Sequence, residues 1–171
     1  MQRIAIDMDD VLADTTGRFI EYAYTRLGKK IKPVDLHGKN WAEVTEYEHV
    51  RNWLFEDNFF RNIKVMADSQ DVMKKLCEKY EVFIVSAATE FPNSLKEKID
   101  WLDEFFPFIS WKYIVFCGHK YMIQADYLID DHERNLVSFT GKPILFSAPH
   151  NIHLQAFTRV NNWQEIASMF L

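Results

Sequence analysis

The sequence predicts an α/β fold: a Rossmann-like parallel sheet carrying a small helical cap inserted after the first strand. Three observations carry that expectation. Short apolar runs alternate with helix-period segments, as they do when helices cover both faces of a parallel sheet. The first two runs lie about 75 residues apart, whereas one crossover needs only a dozen or more. The material between them is aromatic-rich and helical in pattern. This divides the chain into a core of residues 1–15 and 67–171 and a cap of residues 16–66.

The elements follow in order. RIAID (3–7) is the first strand. TTGRFIEYAYTRLG then reads as a helix that Asp14 caps and Gly28 ends. A second cap helix starts near Asn40, which makes a capping box with Glu43, and continues through Val44, Tyr47, Val50 and Leu54. Residues 69–80 place Val72, Met73, Leu76, Cys77 and Tyr80 behind a Ser69 cap. VFIVS (82–86) is the second strand. Residues 94–106 carry a Ser94–Glu97 capping box and a stripe of Leu95, Ile99, Leu102 and Phe106, and Pro107 stops the helix. YIVF (113–116), YLID (127–130) and PILF (143–146) complete the strands, and NNWQEIASMF is a terminal helix against the sheet edge.

Composition narrows the function. With 171 residues and 48% hydrophobic content, the chain can bury a sizeable core. The net charge of −5 and the lack of a basic block argue against a nucleic-acid polymer as partner. No apolar run reaches the ~18 residues of a membrane span, and MQRIAIDMDD lacks a signal peptide's apolar stretch. Cys77 and Cys117 read as reduced core residues. A cytoplasmic chain is expected, with a homodimer left open. Only five glycines occur, and neither common nucleotide-phosphate loop is present.

The polar residues at the strand ends point to chemistry. Ligands in an open parallel sheet bind beyond the carboxyl ends of the strands. Strand one ends in Asp7, followed by Asp9; strand two ends in Ser86, and strand four in Asp130 and Asp131. Lys98 and Lys120 lie on the segments after strands two and three. Carboxylates, a hydroxyl and lysines gathered together suit Mg²⁺ and a phosphoryl group, because Mg²⁺ prefers carboxylate, water and phosphate oxygens. Asp7 is then the nucleophile forming an aspartyl-phosphate, Asp9 the acid and base, and Ser86 a donor to a phosphoryl oxygen. His150 and His153, in the loop APHNIH, read as surface residues. Trp41, Trp53, Phe59 and Phe60 read mainly as cap core.

D-M-D-D-V-L-A-D (7–14), F-I-V-S (83–86) and L-I-D-D (128–131) together resemble the haloacid dehalogenase superfamily. More narrowly they resemble the 5'(3')-deoxyribonucleotidases, as do N-F-F-R-N-I-K-V-M (58–66) and K-I-D-W-L-D-E-F-F (98–106). The resemblance implies Mg²⁺-dependent dephosphorylation of deoxynucleoside monophosphates. It casts Asp7 as nucleophile and metal ligand, and Asp9 as acid/base that binds the metal through its carbonyl. Asp131, with Asp130 beside it, completes the metal's protein ligands. Lys98 and Lys120 match phosphate-binding lysines, and Trp41 a cap aromatic enclosing the base. Asp10 stands where glycine is usual, Thr15 where animal relatives carry a stacking Phe, Ala87 where they have a second hydroxyl, and His132 in place of an Arg. The nearer alternative is another small phosphomonoester, such as a sugar phosphate. The alternative from another class, a phospho-accepting receiver domain, has no helical insertion after strand one and no late acidic pair.

Overall fold

The computed structural model describes residues 1–41 and 45–171, with side chains described outside 42–49. Six parallel strands form one sheet in the order β3-β2-β1-β4-β5-β6. They are β1 (Arg3–Ile6), β2 (Glu81–Ser86), β3 (Ile114–Phe116), β4 (Tyr127–Asp130), β5 (Lys142–Phe146) and β6 (Thr158–Val160). β1 is central: Ile4 pairs with Val82 on one side and with Tyr127 on the other. Ile4, Ala5 and Ile6 are fully buried, as a strand covered on both faces requires. The chain runs outward from β1 through β2 and β3, then returns to β4 on the opposite side. The strand order therefore reverses at β1 and β4, and the connections diverge there to leave a crevice at their carboxyl ends.

The five expected strands are present. β6 was not anticipated, since Thr158 and Arg159 give it no apolar run. Arg159 is held instead by hydrogen bonds to Ser147, Asn151 and the Leu154 carbonyl. A short helix, α4 (Glu133–Val137), also went unread.

Between β1 and the next core helix the described chain is helical. α1 (Thr15–Leu27) begins where Asp14 accepts from the Gly17 amide at 2.8 Å, and it ends at Gly28 in the left-handed conformation. Both boundaries match the sequence expectation. Thr45–Phe55 is a 3₁₀ helix rather than an α-helix, with Val50 and Trp53 buried. The expected capping partner Glu43, Val44 and the side chain of Tyr47 lie outside the described residues. Phe19 packs on Trp41 and Phe59 at 5.1 and 5.0 Å, and Tyr22 meets Trp53 edge-on at 5.5 Å; these rings join the same hydrophobic cluster as Ile4, Ile6 and Trp101 of the sheet layers.

Two caps differ from expectation. In α2 (Ser69–Lys79) the N-cap is Asp68, and the Ser69 hydroxyl donates backward to the Met66 carbonyl at 2.7 Å. α3 (Pro92–Phe105) starts before Ser94, because Pro92 suits the first helical turn and has no N–H to leave unpaired. Ser94 then donates to the Ala88 carbonyl, and Glu97 reaches out of the helix altogether. It accepts from the amides of Asn58, Phe60 and Arg61 at 2.6, 3.0 and 3.1 Å. The buried face of α3 is correspondingly rotated to Ser94, Lys98, Trp101 and Leu102, leaving Ile99 42% exposed. Trp101 donates to the Ile63 carbonyl at 2.8 Å, a second tie to the end of the inserted segment. α5 (Trp163–Phe170) closes the chain, with Asn162 capping it by accepting from the Glu165 amide.

Among the described residues no helix is long and apolar enough to cross a membrane, and Cys77 and Cys117 are half-buried and unbridged. The Glu97 carboxylate fastens three backbone amides with charge-assisted bonds. Glu97→Ala is expected to cost roughly 2 kcal/mol, seen as a Tm lowered by about 4–8 °C in thermal unfolding. An unchanged Tm would mean that these amides are satisfied without it.

Candidate active site

The crevice at the carboxyl ends of β1 and β4 collects the residues singled out by sequence. The strand end and the tight turn after it set the acids in place. Asp7 Oδ1 accepts from the Met8 amide at 2.7 Å, and the amides of Leu12 and Ala13 both return to the Met8 carbonyl. Asp7, Asp9 and Asp10 line the cleft together with Asp131, Lys98, Lys120 and Trp41. The cleft encloses about 940 Å³ of atom-free space, counting its open mouth. Phe19, Leu54, Phe60 and Phe91 give it an apolar wall on the side of the inserted segment.

Two buried lysines organise the acids. The Lys120 ammonium lies 2.7 Å from Asp7 Oδ1 and 2.6 Å from Asp130 Oδ2. Burial alone would favour its neutral form, but these two carboxylates outweigh it and hold its pKa raised. Lys98 sits 2.5 Å from Asp9 Oδ2, donates to the Ser86 hydroxyl at 3.0 Å, and rests over the Phe60 ring. The Thr15 hydroxyl donates to the other oxygen, Asp9 Oδ1, at 3.0 Å. Burial opposes ionisation of Asp9, yet Lys98, with Thr15, holds its carboxyl below the usual range. Lys98 is therefore at the centre of its helix's inward face, not at an edge.

The acidic pair after β4 splits in character. Both Asp130 oxygens are engaged, by Lys120, the His132 amide and the Asn135 side chain. Asp131 is as deeply buried, but its Oδ1 has no hydrogen-bond partner among the described residues. Its Oδ2 lies 3.6 Å from His132 Nε2 and 3.3 Å from His150 Nε2, and the two imidazoles stack at 4.5 Å. Burial, with His150 beside it, pushes the His132 imidazole down to about 4. Burial pushes Asp7 up to about 6, and Asp131 well above the carboxylate range, the latter with Asp130 and Asp7 adding repulsion.

Several placements depart from the sequence reading. His150 is not a surface residue: its side chain is 15% exposed and faces the cleft, because Asn151 bonds to the Asp131 and Phe146 carbonyls and draws that loop over β4 and β5. His153 is exposed, as expected. Ser86 is wholly buried behind the cleft wall, which Ala87 lines. Thr15, Asn135 and His150 were missed as site residues. For Thr15 the i+6 spacing from Asp9 was the available signal, and for His150 its pairing with His153, which could suggest a metal site but was set aside for a surface role; for Asn135 there was none.

The donor set fits a hard divalent cation. Asp7, Asp130 and Asp131 bring carboxylate oxygens within 4.8 Å of one another, and the unpartnered Asp131 Oδ1 is a buried acceptor awaiting positive charge. Burial chiefly raises the pKa of Asp7 and Asp131, with neighbouring carboxylates adding to it, so a cation bound there would favour their charged forms.

Comparison with known proteins agrees with this geometry. The family model described as "5' nucleotidase, deoxy (Pyrimidine), cytosolic type C protein" matches residues 1–171. The 5'(3')-deoxyribonucleotidase of Bacillus subtilis (strain 168) is 44% identical over 171 residues, covering 98% of each chain. A Staphylococcus aureus (strain Mu50) protein, provisionally named a 5'(3')-deoxyribonucleotidase, is 47% identical, covering 98% of this chain and 94% of its own. Among solved structures, a haloacid dehalogenase family hydrolase from Deinococcus radiodurans R1, with bound phosphate and sodium, superposes with a TM-score of 0.66 at 11% identity. That match covers 99% of this chain and 95% of the other, and shows a shared fold.

A carboxyl whose folded-state pKa is raised penalises folding at pH values above its ordinary range, and the penalty fades as pH falls through the raised value and is gone by about 4. At pH 7 without divalent cation, Asp131→Asn is therefore expected to raise Tm by a few degrees. The same substitution is expected to abolish the stabilisation that MgCl₂ gives the unaltered chain. Thermal unfolding with and without MgCl₂ checks both; an equal MgCl₂ shift in the two proteins would exclude Asp131 from the cation site.

Proposed function

Because this chain belongs to the 5'-nucleotidase, deoxy (pyrimidine), cytosolic type C family, we propose that it hydrolyses deoxynucleoside 5'- and 3'-monophosphates through a phosphoryl-aspartate at Asp7. The supporting observation is the pair of salt bridges facing one cleft, Lys120 with Asp7 and Lys98 with Asp9. Each sets a cation beside a carboxylate, where a phosphate's charge must be accommodated. Mg²⁺ is the proposed cation, held by Asp7, the Asp9 carbonyl and Asp131, with Asp130 left to position Lys120. When bound, it supplies positive charge to phosphoryl oxygens.

The steps follow from the chain's own groups. Lys120 and the Met8 amide both bond Asp7 Oδ1, which fixes the carboxylate for attack on phosphorus. A bond forms between Asp7 and phosphorus as the bond to the sugar oxygen breaks, and Asp9 gives that oxygen a proton. A carboxylate paired with an ammonium at 2.5 Å holds a proton poorly, so Lys98 must turn to a phosphoryl oxygen before Asp9 acts as an acid. Ser86, buried behind the cleft wall, accepts from Lys98 and steadies that ammonium for the phosphate. Water then attacks the phosphoryl-aspartate, Asp9 removes its proton, and inorganic phosphate leaves with Asp7 restored. Residues 16–66 serve as the cap, with Trp41 and its aromatic neighbours offering a planar, apolar surface to the base. The substrate is a small phosphomonoester, and the proposed compartment is the cytoplasm.

Asp7→Asn is expected to reduce Mg²⁺-dependent phosphate release by at least about 10³-fold with the fold intact by circular dichroism. Undiminished turnover would sink the nucleophile assignment. A release panel of dUMP, dTMP, UMP, 3'-deoxynucleotides and sugar phosphates, with and without chelator, is expected to favour the deoxynucleotides and to need the metal. Preference for sugar phosphates would reject the substrate class while keeping the chemistry.

A further inference from the structure

Asp10 is the acid that this chemistry leaves unused, and its setting is unusual. It is one of three described non-glycine residues with positive φ, at 54°, a conformation that costs an L side chain roughly 1–2 kcal/mol. Its carboxylate takes two bonds of 2.7 Å from a single residue, one from the Thr16 amide and one from the Thr16 hydroxyl. Thr16 is the second residue of α1. The helix does not need this carboxylate as its cap, because Asp14 already accepts from the Gly17 amide. What a second grip adds is orientation. Three successive residues of the first turn are held by three acids of one loop: Thr15 by Asp9, Thr16 by Asp10 and Gly17 by Asp14. The Asp10 amide closes the turn by donating to the Ala13 carbonyl at 2.8 Å, so the loop and the helix start form one unit.

We propose that Asp10 is a positioning residue for Asp9, fixing the first turn of α1 so that the Thr15 hydroxyl orients the acid/base carboxylate. This rests on the acid/base reading of Asp9 given above. Among the described residues the Asp9 carboxylate has two restraints, Lys98 on Oδ2 and Thr15 on Oδ1. Once Lys98 turns to the phosphate, only Thr15 remains to aim the carboxyl at the leaving oxygen. Thr15 is the first residue of a helix whose direction Asp10 sets. The backbone strain at Asp10 is borne where it holds that geometry, next to the reacting group.

The test separates positioning from stability by the leaving group. A deoxynucleoside leaves as an alkoxide that needs a proton, whereas p-nitrophenolate leaves without one. Asp10→Gly accepts the left-handed backbone but removes the grip. It is expected to lower kcat/KM for dUMP, which reports the steps up to departure of the deoxynucleoside, by roughly tenfold, part of the ~10²–10⁴ that a positioned acid contributes. It is expected to leave kcat/KM for p-nitrophenyl phosphate within about threefold, whereas kcat, which includes the hydrolysis of the phosphoryl-aspartate common to both substrates, is not the readout. Asp10→Asn tolerates the same φ and can still bond both Thr16 groups, so it is expected to restore kcat/KM for dUMP to within about threefold of the unaltered chain. Asp9→Asn is the control and is expected to show the same split more strongly. A split in Asp9→Asn with none in Asp10→Gly, an Asp10→Gly loss equal on both substrates, or an Asp10→Asn no better than Asp10→Gly would each overturn the positioning role alone. No split in Asp9→Asn would overturn the acid/base reading and this inference with it.

Discussion

Asp7, Asp9, Asp10, Asp130 and Asp131 are gathered at the ends of two adjacent buried strands, and their mutual repulsion is the constraint that shapes the molecule around them. In a low-dielectric interior such charges persist only when paired or hydrogen-bonded. Two lysines meet the requirement from different elements. Lys120 comes from the loop after β3 and ties β1 to β4 through Asp7 and Asp130; Lys98 comes from α3 and ties the loop after β1 to β2 through Asp9 and Ser86. Both are 2% exposed, so each long apolar stem is also a core side chain. α3 must therefore present position 98 inward, and its neighbouring position 97 then faces the inserted segment.

That geometry joins two jobs on one helix. Lys98 points to the acids, while Glu97 holds the amides of Asn58, Phe60 and Arg61, and Asn93 donates to the Leu54 and Glu56 carbonyls. Phe60 lies between them, its ring under the Lys98 ammonium and its amide on Glu97. The segment overhanging the cleft is thus registered against the same helix that supplies the cleft's cation. A displacement of one is felt by the other.

Much of this was legible in the residues. The strand cores could be read because burial on both faces leaves a continuous apolar run, as in RIAI and FIVS; β6 could not, since Thr158 is exposed and Arg159 is held by hydrogen bonds instead. Asp7, Asp9, Asp130 and Asp131 were found because strand ends in a parallel sheet are where ligands bind. The division of labour within the last pair was hidden, because it depends on which oxygens the His132 amide and Asn135 occupy. Ser94 and Glu97 were misread as a local capping box. A pattern four residues long cannot reveal that its Glu is claimed by backbone 36 to 39 positions away. His150 was misread for the same reason: a loop's inward face is set by what Asn151 binds across the sheet.

The central position of β1 also bears on how the chain comes to be folded. During synthesis this strand is made first, yet its partner Val82 lies far downstream of Ile4, and its other partner, Tyr127, further still. Until β4 has left the ribosome, β1 has one edge open, and the acids that follow it lack both Lys120 and Asp130. Contacts of such long sequence separation slow folding, because chain closure must precede their reward. Nascent chains ending before about residue 130 therefore carry an apolar, unpaired edge, the species most prone to associate with its own kind.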